Sequence, residues 1–215
     1  MNNKGKRVIR IIERLKKIYG QPKTALKFKT PFELLVAVVL SAQCTDDRVN
    51  KITPELFKRF PDPKEMARAR VEEIEELIRS CSFFRNKAKN ILGAARMIVE
   101  EFGGKVPETM DELVRLPGVA RKTANVVLYN AFGKNEGIAV DTHVKRLVNR
   151  LSLSSQKDPI KIERELMEIV PRDYWGLFTY LLIEHGRKVC KAKRPDCNDC
   201  VLTDLCQWAR KKDQQ

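Results

Sequence analysis

Residues 34–40, LLVAVVL, are seven apolar residues in a row behind a complete helix-start signature, and they restrict the fold more than anything else in the chain. Thr30 offers a capping hydroxyl, Pro31 sits at the first helical position, and Glu33 falls three residues after the cap. The helix they open, PFELLVAVVLSAQ, is apolar nearly all round. It has no face to give to water, so it must lie at the centre of a domain with other elements wrapped about it. At seven residues the run is far short of the ~20 that span a bilayer. It reads as core, and no membrane segment is expected.

The wrapping elements also read as helices. No stretch alternates apolar and polar residues between hairpin turns, so the chain is expected to be all-α. Asp62-Pro63-Lys64-Glu65, Thr109-Met110-Asp111-Glu112 and Asp158-Pro159 start further helices by the same capping logic. From Ala88, apolar residues recur at Ile91, Leu92, Ala95, Ile98, Val99 and Phe102, a stripe that ends at Gly103-Gly104. VNKITPELFKRF contains Pro54 and reads either as one kinked helix or as two, with Thr53 recapping the second. The N-terminal IIERLKKIYG carries charges through its apolar positions, which makes an amphipathic helix and not a secretory leader. Residues 134–137 and 152–158 are the expected hinges.

Charge narrows the partner. Lys and Arg number 42 against 28 Asp and Glu, a formal +14 on 215 residues, which favours a polyanion bound in a salt-dependent way. A soluble basic protein without such a partner has the same balance. The six cysteines are not spread as a disulfide framework: Cys44 and Cys81 stand alone in helical patterns and read as small core residues. Cys190, Cys197, Cys200 and Cys206 form C-x6-C-x2-C-x5-C, the pattern of a metal site in a reducing compartment. Four thiolates serve zinc or an iron–sulfur cluster. Zinc sites usually pair two C-x2-C knuckles, and with one knuckle the balance tilts toward the cluster.

Reactive groups concentrate in residues 116–144, LPGVARKTANVVLYNAFGKNEGIAVDTHV. Asp111 to Arg115 are expected to end one helix, Pro117-Gly118-Val119-Ala120 to turn the chain, and Arg121 to start the next, with Leu116 and Val119 pinning the turn. A helical hairpin that merely packs has the same outline. The N–H groups of such a turn can also hold a phosphate, and the adjacent Arg121 and Lys122 favour that use. Lys122, beside a cation and at the positive end of a helix, is either a phosphate partner or an amine suited to Schiff-base chemistry. Asp141 reads as the N-cap of DTHVKRLVNR, and a carboxylate so placed can also shuttle protons or stabilise a cationic sugar. His143 either orients Asp141, contacts nucleic acid or fills a structural role.

LPGVARKTANVVL, the VDTH after it, PFELLVAVVLSAQCTD and the four-cysteine pattern occur together in an order and spacing that resembles the endonuclease III family, helix-hairpin-helix DNA glycosylases and AP lyases of base excision repair. The resemblance covers nearly the whole chain. It implies a two-lobed all-α fold: a six-helix barrel over residues 23–134, and a cluster lobe from residues 1–22 and 135–215. It implies that Lys122 attacks C1′ of an oxidised pyrimidine nucleotide flipped from double-stranded DNA, that Asp141 assists from the other lobe, and that β-elimination then nicks the strand. Abasic sites are implied substrates as well.

By the same resemblance Gln43 fills the gap left by the extruded nucleotide, with Asp46 near the pocket, and the opposing wedge falls at Phe83, where the family commonly has an aliphatic residue. Gly118, Val119, Ala120, Arg121 and His143 are implied DNA contacts. Cys190, Cys197, Cys200 and Cys206 are implied ligands of a [4Fe-4S] cluster that presents Lys191, Lys193 and Arg194 to the DNA backbone. Ala120 replaces the glycine usual in the family's hairpin, so it is either right-handed or the hairpin is altered. A monomer in the cytoplasm, associated with a prokaryotic nucleoid, is expected. A non-enzymatic DNA-binding module would have no use for Lys122 and Asp141 together. A mismatch thymine or uracil glycosylase typically lacks the lysine, and an adenine glycosylase would carry a glutamate where this chain has Val38-Val39-Leu40.

Overall fold

The computed structural model describes residues 3–212, and all regular structure among them is helical. In chain order the helices are α1 (Asn3–Tyr19), α2 (Pro31–Ser41), α3 (Asp46–Arg59), α4 (Pro63–Arg68), α5 (Val71–Ile78), α6 (Phe84–Glu101), α7 (Met110–Leu113), α8 (Arg121–Phe132), α9 (Thr142–Arg150), α10 (Pro159–Ile169), α11 (Trp175–Lys188) and α12 (Gln207–Lys212). They divide into two compact units, Thr24–Lys134 and a discontinuous one from residues 1–23 with Asn135–Gln215.

In the unit Thr24–Lys134, α2 is the centre. Phe32 and every residue of 34–40 are buried, and α3, α6 and α8 pack directly on α2. Thr30 caps α2 by accepting from the Glu33 N–H at 3.2 Å. Asp62 and Thr109 cap α4 and α7 in the same way. The stripe on α6 buries Ala88, Ile91, Leu92, Ala95 and Ile98, and Gly103 and Gly104 end it with φ of 61° and 81°.

Two local outcomes differ from the sequence pattern or settle it. Helix α3 runs through Pro54 without a break, and Thr53 is buried inside it instead of recapping a second helix. Pro54 lies on the exposed face, where water can satisfy the carbonyl that its missing N–H leaves unpaired. The helix expected through Arg115 is the single turn α7, because Val114 and Arg115 already bend toward the Pro117-Gly118 turn.

In the second unit, α1 lays Val8, Ile11, Ile12 and Leu15 into a core completed by Val144, Leu147 and Val148 of α9, Ile162 and Leu166 of α10, and Phe178, Leu181 and Leu182 of α11. Asp158 caps α10 through the Lys161 N–H at 2.9 Å. Of residues 134–137, expected to hinge, the first three are held by hydrogen bonds. Lys134 Nζ donates to Glu108, Arg172 donates to Asn135 O at 3.0 Å and to Glu136, and Asn135 Oδ1 accepts from the Gly176 N–H at 2.9 Å. Among the described residues no helix is long and apolar enough to cross a membrane.

Candidate nucleic-acid interface and cysteine centre

The Leu116-Pro117-Gly118-Val119 turn is pinned from inside. Leu116 and Val119 are buried, and the Val119 N–H donates to Leu116 O at 3.1 Å. Gly118 has φ +78°, and a Cβ there would stand 2.8 Å from Asn90 Cβ, so both backbone and space demand glycine. Pro117 rests over Gly93, whose hypothetical Cβ would lie 3.2 Å from Pro117 Cγ. A glycine inside a helix commonly marks such a close approach, and Gly93 was the sequence signal for this seat. Ala120 has φ −88° and ψ 168°, an extended N-cap residue without strain and not right-handed. It offers no side-chain acceptor, so the first N–H groups of α8 have no capping side chain, the condition in which a helix N-terminus receives an anion. Arg121, half-buried, and Lys122, exposed, follow in that first turn.

Gln43 and Phe83 share an uncommon backbone conformation on two turns that are bonded to each other. Three non-glycine residues among those described have positive φ, and Gln43 (54°) and Phe83 (55°) are two of them. Both are exposed, Phe83 to 64%, which is unusual for so large an apolar side chain. Such conformations persist when the surroundings over-determine them. Here the Ser82 hydroxyl donates to Gln43 O, and the buried Lys87 ammonium donates to Leu40 O at 2.7 Å and Ala42 O at 2.6 Å. Lys87 so neutralises the carbonyl end of α2. It occupies a position of the α6 apolar stripe, one turn before Ile91, and a lysine in that register was the signal that could have revealed it. Cys44 and Cys81, expected as isolated core residues, lie with their sulfurs 3.5 Å apart. Burial pushes the Cys81 thiol up to about 11, and Cys44 adds to this while Lys87 and Arg48 oppose it. Asp46, half-buried, starts α3 beside the Thr45 cap.

In the other unit Asp141 caps α9, its Oδ1 accepting from the Val144 N–H at 2.7 Å. His143 Nδ1 accepts from Arg146 at 3.2 Å, and its ring lies so near Gly186 that a Cβ there would meet Nδ1 at 2.9 Å. Burial lowers the His143 pKa, with Asp141 pulling the other way. Two arginines that sequence reasoning passed over organise the first cysteine. Arg146 donates to Gly186 O at 2.9 Å and Cys190 O at 3.0 Å. One turn on, Arg150 donates to Cys190 Sγ at 3.1 Å, Lys191 O at 2.8 Å and Ala192 O at 2.9 Å, and lies over the Trp208 ring. The backbone of the basic loop is thereby fixed while Lys191, Lys193 and Arg194 remain exposed.

All four C-terminal cysteines are half-buried free thiols, and Cys190, Cys200 and Cys206 pack against the core of this unit. The Cys200 N–H donates to Cys197 O at 3.3 Å, and Thr203 Oγ1 sits 2.8 Å from the carbonyls of both. From α1, Arg14 donates to Val201 O at 2.7 Å and grips the Asp204 carboxylate with both nitrogens, holding its pKa down. Burial raises the Cys200 thiol, and Cys190 and Cys206 raise it further. His185 Nε2 is 3.3 Å from Cys200 Sγ, its Nδ1 meets the Tyr19 hydroxyl at 3.1 Å, and burial lowers its pKa to about 4.

Among the described residues no three His, Cys, Asp or Glu side chains converge on one point as a single ion requires. A cluster bonds each thiolate to a different iron and needs no such convergence. The all-sulfur donor set, the Arg150 N–H directed at Cys190 Sγ and the His185 ring beside Cys200 Sγ fit that soft, hydrogen-bonded chemistry.

Residues 36–172 match the HhH-GPD superfamily of base excision DNA repair proteins. The chain is 56% identical over 210 residues to endonuclease III of Synechocystis sp., covering 98% of this chain and 96% of that one. It is 42% identical over 211 residues to endonuclease III of Escherichia coli K12, covering 98% and 99%. A solved structure of a trapped endonuclease III–DNA covalent intermediate superposes with a TM-score of 0.91 at 42% identity, over 99% of this chain and all of that one. With hairpin, capped carboxylate and cysteine pattern in one all-helical chain of this similarity, the protein belongs to the endonuclease III family.

Proposed function

We propose that the chain is a bifunctional DNA glycosylase and AP lyase that removes oxidised pyrimidines from double-stranded DNA. The observation that carries this reading is Lys122, exposed in the first turn of α8 directly behind the hairpin. The hairpin and the uncapped start of α8 hold the backbone phosphate without reading sequence. Gln43 and Phe83 enter the stack as the damaged nucleotide leaves it. Lys122 Nζ attacks C1′, and the base departs with the glycosidic electron pair. Loss of the ring oxygen's bond to C1′ then gives the Schiff base. Asp141, an acceptor through Oδ1 in its cap, uses the remaining carboxylate oxygen to move protons during base departure and stabilise the cationic sugar. Abstraction of the C2′ proton expels the 3′ phosphate and nicks the strand.

Cys190, Cys197, Cys200 and Cys206 hold a [4Fe-4S] cluster, whose contribution is a structural bond among α11, the basic loop and the turn before α12. Lys191, Lys193 and Arg194 then meet the DNA backbone from a loop that Arg150 keeps in place. Duplexes containing thymine glycol, uracil opposite guanine or an abasic site, incubated with borohydride, test the chemistry. The thymine glycol and abasic duplexes are expected to give a covalent adduct with the wild-type protein and none with Lys122→Ala. Retention of nicking and trapping by Lys122→Ala would overturn the assignment.

A further inference from the structure

The turn from α2 into α3 and the turn from α5 into α6 lie side by side. The Lys87 ammonium reaches Leu40 O in the last turn of α2 and Ala42 O in the turn that follows, Ser82 reaches Gln43 O in that same turn, and the sulfurs of Cys44 and Cys81 meet at 3.5 Å. Each cysteine is within two residues of the exposed, positive-φ residue that its turn presents: Cys44 follows Gln43, and Cys81 precedes Phe83 by two. Cys81 is 3% exposed, whereas Cys44 is half-exposed and so the thiol that a reagent meets first. A disulfide needs its sulfurs at about 2.05 Å. The pair therefore lacks roughly 1.5 Å of approach, which the two turns must supply by shifting toward each other.

We propose that Cys44 and Cys81 are a reversible oxidation site, at which a small-molecule disulfide of the glutathione type converts the thiol pair into an intramolecular disulfide. In the first step the Cys44 thiolate attacks one sulfur of the reagent, forming a mixed disulfide and releasing one small thiolate. In the second, the Cys81 sulfur attacks the Cys44 sulfur, forming the internal bond and releasing the other small thiolate. The two protein thiol protons pass to the two released thiols, and the two electrons lost by the protein sulfurs are those gained by the reagent. The product staples the turn bearing Gln43 to the turn bearing Phe83, with both drawn out of their reduced spacing. This functional consequence rests on the reading that these two residues enter the DNA stack. A misplacement of about 1 Å in such a site costs up to about 100-fold. Excision is therefore expected to fall at least about tenfold in the oxidised enzyme.

The holoprotein is incubated with oxidised glutathione, quenched with N-ethylmaleimide, digested and mapped by mass spectrometry, with kcat/KM on a thymine glycol duplex measured in parallel. A Cys44–Cys81 linked peptide is expected, together with the loss of activity and its recovery in dithiothreitol. Cys44→Ala and Cys44→Ser are expected to keep their activity under the same oxidant, which separates the effect from damage at the other four cysteines. Absence of the linked peptide, or a linked peptide with unchanged kcat/KM, overturns the proposal. Full activity of Phe83→Ala and Gln43→Ala in the reduced enzyme would instead remove the insertion reading, leaving the peptide map to judge the disulfide by itself.

Discussion

Gly118 and Ala120 show how a two-residue shift changes which side chain matters. The sequence draws attention to Ala120, a departure from the family's glycine, yet its φ of −88° is open to any residue. The left-handed conformation belongs to Gly118, at +78°, against Asn90. Gly118→Ala combines a strained φ with a Cβ that has no room, and is expected to cost about 1–3 kcal/mol of stability by urea denaturation. It should also weaken binding to undamaged duplex in a fluorescence anisotropy titration. Ala120→Gly, in the same titration, should leave affinity within about twofold, because it relieves no strain. The place of Lys122 in the first turn of α8 and of Asp141 as the cap of α9 was legible from residue type and motif. Lys87 was harder to see because a buried lysine paired with main-chain carbonyls has no complementary side chain to betray it.

Helix α9 sets out two functions on one short element, and only one of them was written in its side-chain pattern. Its N-cap, Asp141, follows the ordinary capping rule and could be read directly. Arg146 and Arg150, which fix Cys190 and the two residues after it, read as charges on a solvated face, since none of their partners is a carboxylate: they are main-chain carbonyls, the Cys190 sulfur, the His143 ring and the Trp208 ring. The same blindness explains α7, whose capping threonine was evident but whose single turn depends on the hairpin packing against α6. By contrast, the burial of α2 followed from composition alone, because an all-apolar helix has one possible environment. Arg150→Leu removes the donors to Cys190 Sγ, Lys191 O and Ala192 O. Absorbance near ~400 nm, the mark of the iron–sulfur chromophore, should then decay several-fold faster in a chelator than in wild type, with Lys122-dependent trapping retained before the decay.

At the scale of the whole molecule, each of the two units has its own apolar core, and both tryptophans, Trp175 and Trp208, belong to the unit that carries the four cysteines. Tryptophan fluorescence therefore reports on that unit, whereas helical circular dichroism reports on both. Removing the iron of the proposed cluster should lower the fluorescence transition by several degrees, since metal binding free energy is folding free energy for the part that binds. The circular dichroism amplitude contributed by Thr24–Lys134 should melt where it did before. A single coincident shift by both probes would show that the units unfold together.

The discontinuity of the second unit also imposes an order on synthesis. Helix α1 emerges from the ribosome before anything else described, but the surfaces that cover Val8, Ile11, Ile12 and Leu15 lie on α10 and α11, more than 130 residues later. The intervening unit can fold while the chain is still growing. At some 5–20 residues per second, α1 must wait on the order of ten seconds for its apolar stripe to be covered, with lysines and arginines on its opposite face.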